Sequence, residues 1–110
     1  EYADEVQSVI DYYQEAYGTK TPASGKEYAT CLSRSQHMSA YNLIKSSYEN
    51  CTDEVMKKRL ASVAASCYAG ALLAEDWGRS QYISTMKTLC QAAGITQWSE
   101  MVTAETFLNS

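Results

Sequence analysis

The uncharged run at positions 60–74, LASVAASCYAGALLA, is the feature that most constrains the fold. A helix that is apolar on all sides normally lies at the centre of a helix bundle. As a helix, the run would be about 22 Å long, whereas the hydrocarbon core of a membrane is about 30 Å thick. We therefore expect a long apolar central helix in a soluble bundle, without a membrane span.

Helical periodicity also appears in four other parts of the chain. Apolar residues recur every three or four positions at 2–17, at about 27–49, after Ser80 and again after Thr96. Gly18 and Gly94 are placed to end helices, and Gly94 followed by Ile95 resembles a Schellman ending. Serines at 33, 35 and 39 weaken the second segment, so a kink or break near residues 34–37 is an alternative to a continuous helix.

Composition supports one all-α domain over residues 1–110. The chain has 45% hydrophobic residues, one proline and five glycines, which favours packed helices over a disordered or sandwich-like chain. Asn50 and Thr52 are both suited to cap the central helix, beside Asp53 and Glu54 in the favourable first turn. We expect a small bundle of about five helices.

Four cysteines, at 31, 51, 67 and 90, predict two disulfides because their wide spacing lacks the close pairs of structural zinc sites. The central helix would hold Cys51 and Cys67 about 24 Å apart, which nearly excludes that pair. The preferred pairing is Cys31–Cys67 with Cys51–Cys90. In an antiparallel helical hairpin that turns near Asn50, Cys31 and Cys67 lie at about the same height along the two helices. Cys31–Cys51 with Cys67–Cys90 stays open if the second helix is broken.

No catalytic or metal site is expected. His37 is the only histidine and lies in a polar stretch, which predicts a surface or capping role. The adjacent acidic pairs lie at helix ends, where the helix dipole accounts for them. No metal-binding or phosphate-binding motif is present in the sequence, so we expect neither an enzyme nor a cofactor. The net charge of −4 argues against nucleic acid as a partner.

The chain contains nine tyrosines and two tryptophans, residue types that dominate both cores and interfaces. Tyrosines on the inward helix faces are expected to pack in the core; these are Tyr13, Tyr28, Tyr41, Tyr68 and Tyr82. Two connections, at residues 19–26 and at the turn after residue 76, are the candidate recognition surfaces because anchored loops commonly carry binding. The candidate partner-binding residues there are Lys20, Pro22, Lys26, Trp77 and Arg79.

The layout as a whole resembles the anophensin and albicin family of anopheline mosquito salivary proteins. The resemblance rests on four cysteines, about five helices and the alanine-rich central helix, over most of the chain. It implies a protein secreted into saliva during blood feeding that binds host plasma cascades. The convertase of the alternative complement pathway is the leading target, and the contact and kallikrein-kinin pathway is the alternative. Because the chain begins at Glu1, we expect a mature product whose secretion signal has been removed.

A carrier of small hydrophobic ligands is a competing function from a different class. A disulfide-linked helical bundle could enclose a cavity among its tyrosines and its methionines, Met38, Met56, Met86 and Met101. The cysteine intervals do not resemble those of insect odorant-binding or chemosensory proteins. Bound lipid would favour the carrier, and an empty bundle would favour the inhibitor.

Overall fold

The computed structural model describes residues 2–20, 30–74 and 80–95, and these residues form four helices. They are α1 (Ala3–Tyr17), α2 (Arg34–Asn50), α3 (Glu54–Ala74) and α4 (Ser80–Ala93). No strand occurs within the described ranges, which confirms the all-α class. The described part has four helices rather than about five, and the helix expected after Thr96 lies outside it.

The second helix begins later than the periodicity suggested. In the part of the 27–49 segment that the structure describes, Thr30 is helical, the chain turns at residues 31–33, and α2 starts at Arg34. Ser33 forms a capping box with Gln36: its hydroxyl accepts from the Gln36 N–H at 3.1 Å, and its own N–H donates to the Gln36 side chain at 2.9 Å. These two bonds satisfy backbone donors at the start of α2. They place the break just before residues 34–37, where the serines suggested a kink or break.

The central helix is long but not apolar over its whole length, which corrects that expectation. It starts at Glu54 and includes Lys57, Lys58 and Arg59 before the apolar run. The basic residues extend the helix because Lys and Arg have good helix propensity and remain at least partly exposed. None of the described helices is long and apolar enough to cross a membrane.

The residue that caps α3 also differs from the expectation of Asn50 or Thr52. The Asp53 carboxylate accepts a hydrogen bond from the Met56 N–H at 3.1 Å. The Asn50 side chain instead donates to the Ser46 hydroxyl at 3.2 Å, within the last turn of α2. Asp is as good a cap as Asn, and it adds a charge at the positive end of the helix dipole.

Consecutive helices run antiparallel, with α3 packed between α2 and α4 and with α1 packed on α2. Tyr13 near the end of α1 contacts His37 at the start of α2, and His37 contacts Gly70 near the end of α3. Gly94, just after α4, lies beside Lys58 at the start of α3. The core consists mainly of small and aliphatic side chains: Val9, Ala40, Ile44, Leu60, Ala64, Ala65, Ala69, Leu72, Met86 and Leu89.

Two helix ends follow the glycine predictions. Gly18 has φ of 53° and donates its N–H to the Gln14 carbonyl, which ends α1. Gly94 has φ of 76° and donates to the Gln91 carbonyl, while the Ile95 N–H donates to the Cys90 carbonyl. This pair of bonds is the Schellman arrangement, so that prediction is confirmed.

Candidate functional site

An open cleft lies along the second half of α1, and we call it the Lys20 cleft. It encloses about 520 Å³. Its lining is Val9, Ile10, Tyr13, Gln14, Tyr17, Gly18 and Lys20. The positive φ of Gly18 turns the chain at the end of α1. That turn places the exposed Lys20 at the end of an otherwise largely apolar surface.

Aromatic side chains form the wall of the Lys20 cleft. The rings of Tyr13 and Tyr17 stack with centroids 6.0 Å apart and an interplanar angle of 25°. They lie four residues apart, the spacing at which side chains meet on a helix. Ile10, three residues before Tyr13, remains 42% exposed. The cleft therefore combines a wall of two stacked tyrosines with an accessible aliphatic side chain.

A second cleft, the Arg59 cleft, lies between the first half of α1 and the start of α3. It encloses about 340 Å³. Its lining is Tyr2, Ala3, Val6, Gln7, Ile10, Met56 and Arg59. Since α1 packs chiefly on α2, the edge of α1 that faces α3 is only partly covered. Arg59 places a guanidinium group beside apolar side chains at this edge.

His37 is completely buried, so the expectation of a surface or capping histidine is wrong. Its Nδ1 lies 3.0 Å from the Tyr13 hydroxyl, and the two rings are 5.7 Å apart. A Cβ added at Gly70 would lie only 2.5 Å from Nδ1, so the imidazole packs directly against the backbone of α3. The ring thus connects three helices, because it belongs to α2 and contacts both α1 and α3.

Burial also determines the ionisation of the neighbouring groups. It raises the pKa of the Cys67 thiol to about 11, although a hydrogen bond from the Tyr13 side chain acts in the opposite direction. Burial, with the nearby Tyr68 as the next cause, raises the pKa of Tyr41 to about 12. Burial likewise raises the pKa of Cys90. These groups are neutral at physiological pH, and a neutral thiol is a weak nucleophile.

All four cysteines are free thiols, so the predicted Cys31–Cys67 and Cys51–Cys90 disulfides are wrong. The prediction compared heights along the helices, but a disulfide also requires the side chains to face each other. Cys67 is directed towards α1, where it hydrogen-bonds with Tyr13. The Cys51 sulfur lies 3.5 Å from the Asp53 carbonyl oxygen in the turn before α3. Cys31 is half-buried in the turn before α2.

Of the predicted partner-binding residues, the described chain includes Lys20, which is exposed and lines a cleft. The others, Pro22, Lys26, Trp77 and Arg79, lie outside the described residues. Among the tyrosines predicted to pack in the core, Tyr41 and Tyr68 are buried and in edge-to-face contact at 5.2 Å, as expected. Tyr13 is half-buried, and Tyr28 and the Tyr82 side chain lie outside the described part.

The sequence did not single out Ile10 or Arg59 as site residues. A signal for Ile10 was present, since the apolar stripe of α1 covers about 120° of the helix, counted at 100° per residue. A single partner helix does not cover so wide a stripe, so part of it stays exposed. Among the residues of α1, Val9 is the one that is buried. Within the described ranges, no group of three or more His, Cys, Asp or Glu side chains could hold a metal ion.

Comparisons of this chain with protein-family models, with curated proteins and with solved structures find no match. The fold and the two clefts therefore define the class of protein: a small bundle of antiparallel helices with a partly apolar surface along its first helix.

Proposed function

We propose that this chain is a secreted inhibitor that binds proteins of a host plasma cascade, foremost the convertase of the alternative complement pathway. The observation that carries the proposal is the Lys20 cleft. Its tyrosines, its exposed aliphatic side chain and its terminal cation are the combination that interface hot spots use. The resemblance in layout to the anophensin and albicin family supplies the target and the salivary source.

Inhibition in this proposal is steric and needs no chemical step. A tyrosine contributes a large contact area at a small cost in conformational entropy, and Tyr13 and Tyr17 are held by their own stacking. A partner surface that covers the cleft would lose access to its substrate or to its next component. The contact and kallikrein-kinin pathway is the alternative target of the same surface.

Secretion is compatible with the thiol state of the chain. Cys51, Cys67 and Cys90 are buried, and Cys31 is half-buried, so the protein limits the access of oxidants to all four. The buried Cys67 thiol, with its pKa of about 11, also forms little of the reactive thiolate. Free thiols inside such a core can persist outside the cell.

The Lys20 cleft also favours one function of another class, a carrier of small hydrophobic ligands. Its volume of about 520 Å³ falls in the range of ligand sites. Of the methionines that this function suggested, Met86 is fully buried, Met38 packs against the core and Met56 lines the Arg59 cleft, so none of these three lines the Lys20 cleft. Met101 lies outside the described residues. A ligand in this cleft would lie against Ile10, Tyr13 and Tyr17.

The decisive experiment is capture of human plasma proteins by the immobilised chain, followed by convertase and contact-activation assays. We expect capture of a convertase component and inhibition of the alternative pathway. Tyr17→Ala should weaken both, because it removes half of the stacked pair. Tyr48→Ala is the matched control, since Tyr48 is a half-buried tyrosine on α2, away from the cleft.

Three results would decide between the functions. Equal loss of capture in Tyr17→Ala and Tyr48→Ala would remove the cleft from the proposal, and no capture at all would refute the inhibitor. Native mass spectrometry of the purified chain tests the carrier. A stoichiometric lipid that is lost in Tyr17→Ala would favour it.

A further inference from the structure

The two clefts meet at one residue and follow one face of α1. Ile10 lines both the Lys20 cleft and the Arg59 cleft. The lining side chains of α1 repeat at helical spacing from Tyr2 to Tyr17. The combined surface therefore follows the whole length of a 15-residue helix, which is about 22 Å.

Charge on α1 is separated from this surface. Counted at 100° per residue, the four carboxylates of the helix point about 100° or more away from Ile10. They are Asp4, Glu5, Asp11 and Glu15. The carboxylate nearest to the surface, Asp11, accepts a hydrogen bond at 2.9 Å from the side chain of Gln7, which lines the Arg59 cleft. No carboxylate lines either cleft, so the lining of this partly apolar surface carries no negative charge from its own helix.

A cation lies at each end of the surface. Arg59 lines the end near the start of α1, and Lys20 lines the end near its last turn. Within the described part of the chain, neither the Arg59 guanidinium nor the Lys20 ammonium group has an ion pair. Two cations at the ends of a partly apolar surface, neither of them in an ion pair with a described residue, complement a ligand with negative charge at both of its ends.

We propose that the two clefts form a single docking groove for an amphipathic helix of a partner protein, with acidic residues near both ends of that helix. This inference rests on the proposed function, in that it names the chemistry of the protein that the chain binds. A straight groove along a helix suits a second helix, whose side chains at every third or fourth position interdigitate with those of α1. A partner helix of about four turns would place its terminal carboxylates at Arg59 and Lys20.

The test uses the full chain and three synthetic helical peptides of about 16 residues. All three carry the same leucine stripe, and their ends carry glutamate, glutamine or lysine. Fluorescence anisotropy measures the three dissociation constants. We expect the glutamate peptide to bind about three- to tenfold more tightly than the glutamine peptide, and the lysine peptide to bind most weakly. High salt should remove most of this preference.

Matched variants locate the binding surface. Ile10→Glu should abolish binding, whereas Leu43→Glu on α2 should not, although both residues are 42% exposed. Charge reversal at Lys20 and Arg59 together should invert the order of the glutamate and lysine peptides. Charge reversal at the exposed Lys45 on α2 should leave the order unchanged.

Several outcomes would overturn the groove. They are the absence of binding by all three peptides, equal binding of the three, and equal effects of the Ile10 and Leu43 substitutions. A dimer in sedimentation velocity that Ile10→Glu dissociates would assign the groove to a second copy of the chain instead. The peptide assay needs no plasma, so plasma capture that fails while the peptides bind refutes the inhibitor alone. Plasma capture that survives Ile10→Glu refutes the groove, and with it the Lys20 cleft as the binding surface, but leaves an inhibitor that binds through another surface.

Discussion

Replacement of Gly70 by alanine tests the packing of the buried histidine directly. The added Cβ would lie 2.5 Å from Nδ1 and 2.7 Å from Cε1 of His37, so the imidazole must retreat by about 1 Å to reach ordinary contact. The fully buried ring has little room to do so without losing the Tyr13 hydrogen bond. Overpacking costs about 1–3 kcal/mol and the hydrogen bond about 1 kcal/mol, against a gain of about 1 kcal/mol from helix propensity.

The net expectation for Gly70→Ala is a loss of about 1–3 kcal/mol in the free energy of unfolding, with a decrease in Tm of roughly 4 °C per kcal/mol. Urea and thermal unfolding followed by circular dichroism measure both quantities. The control is the same substitution in a His37→Ala background. There the clash is absent, and Gly70→Ala should stabilise the protein by up to about 1 kcal/mol. An equal effect in the two backgrounds would refute the contact between His37 and α3.

Three further properties follow from the structure. A thiol reagent should label Cys31 first in the native protein and Cys67 only after unfolding, with four thiols titrated in denaturant; two thiols or none would contradict the free-thiol state. Stability should fall as pH rises from about 9 to 12, because the unfolded chain ionises its Cys67 and Tyr41 groups before the folded chain does. Tyr41→Phe should lessen this fall in the free energy of unfolding, which urea unfolding at each pH measures. Ser33→Ala should cost about 1 kcal/mol and fray the start of α2 in hydrogen exchange, and unchanged protection there would contradict the capping box.

The helical class and the position of the central helix could be predicted from the sequence because they depend on local periodicity. The break before α2 was also visible in part, since its serines compete with the backbone for hydrogen bonds. Its position was set by the capping box between Ser33 and Gln36, which the periodicity of the apolar residues does not report. For the same reason, the sequence suggested Asn50 or Thr52 as the cap of α3, whereas the structure has Asp53 there.

The errors over His37 and the cysteines share one physical cause. Both predictions judged a residue by its neighbours along the chain or by its height in a helix, and neither considered its direction around the helix axis. His37 follows polar residues, but it lies four and seven positions before the buried Tyr41 and Ile44 and shares their face. Cys67 lies at a suitable height for Cys31 but is directed towards Tyr13 on α1.

The functional surface could not be predicted for a related reason. An apolar stripe has the same periodicity whether it faces the core or a partner, and the stripe of α1 does both. Val9 is buried in the core, whereas Ile10, about 100° further around the helix, remains 42% exposed. Since α3 packs beside α2 and makes few contacts with α1, among them Cys67 with Tyr13 and the pair Met56 and Arg59 at the Arg59 cleft, the bundle leaves this edge partly open. The packing order of the helices, rather than the composition of α1, therefore creates the surface that we propose for binding.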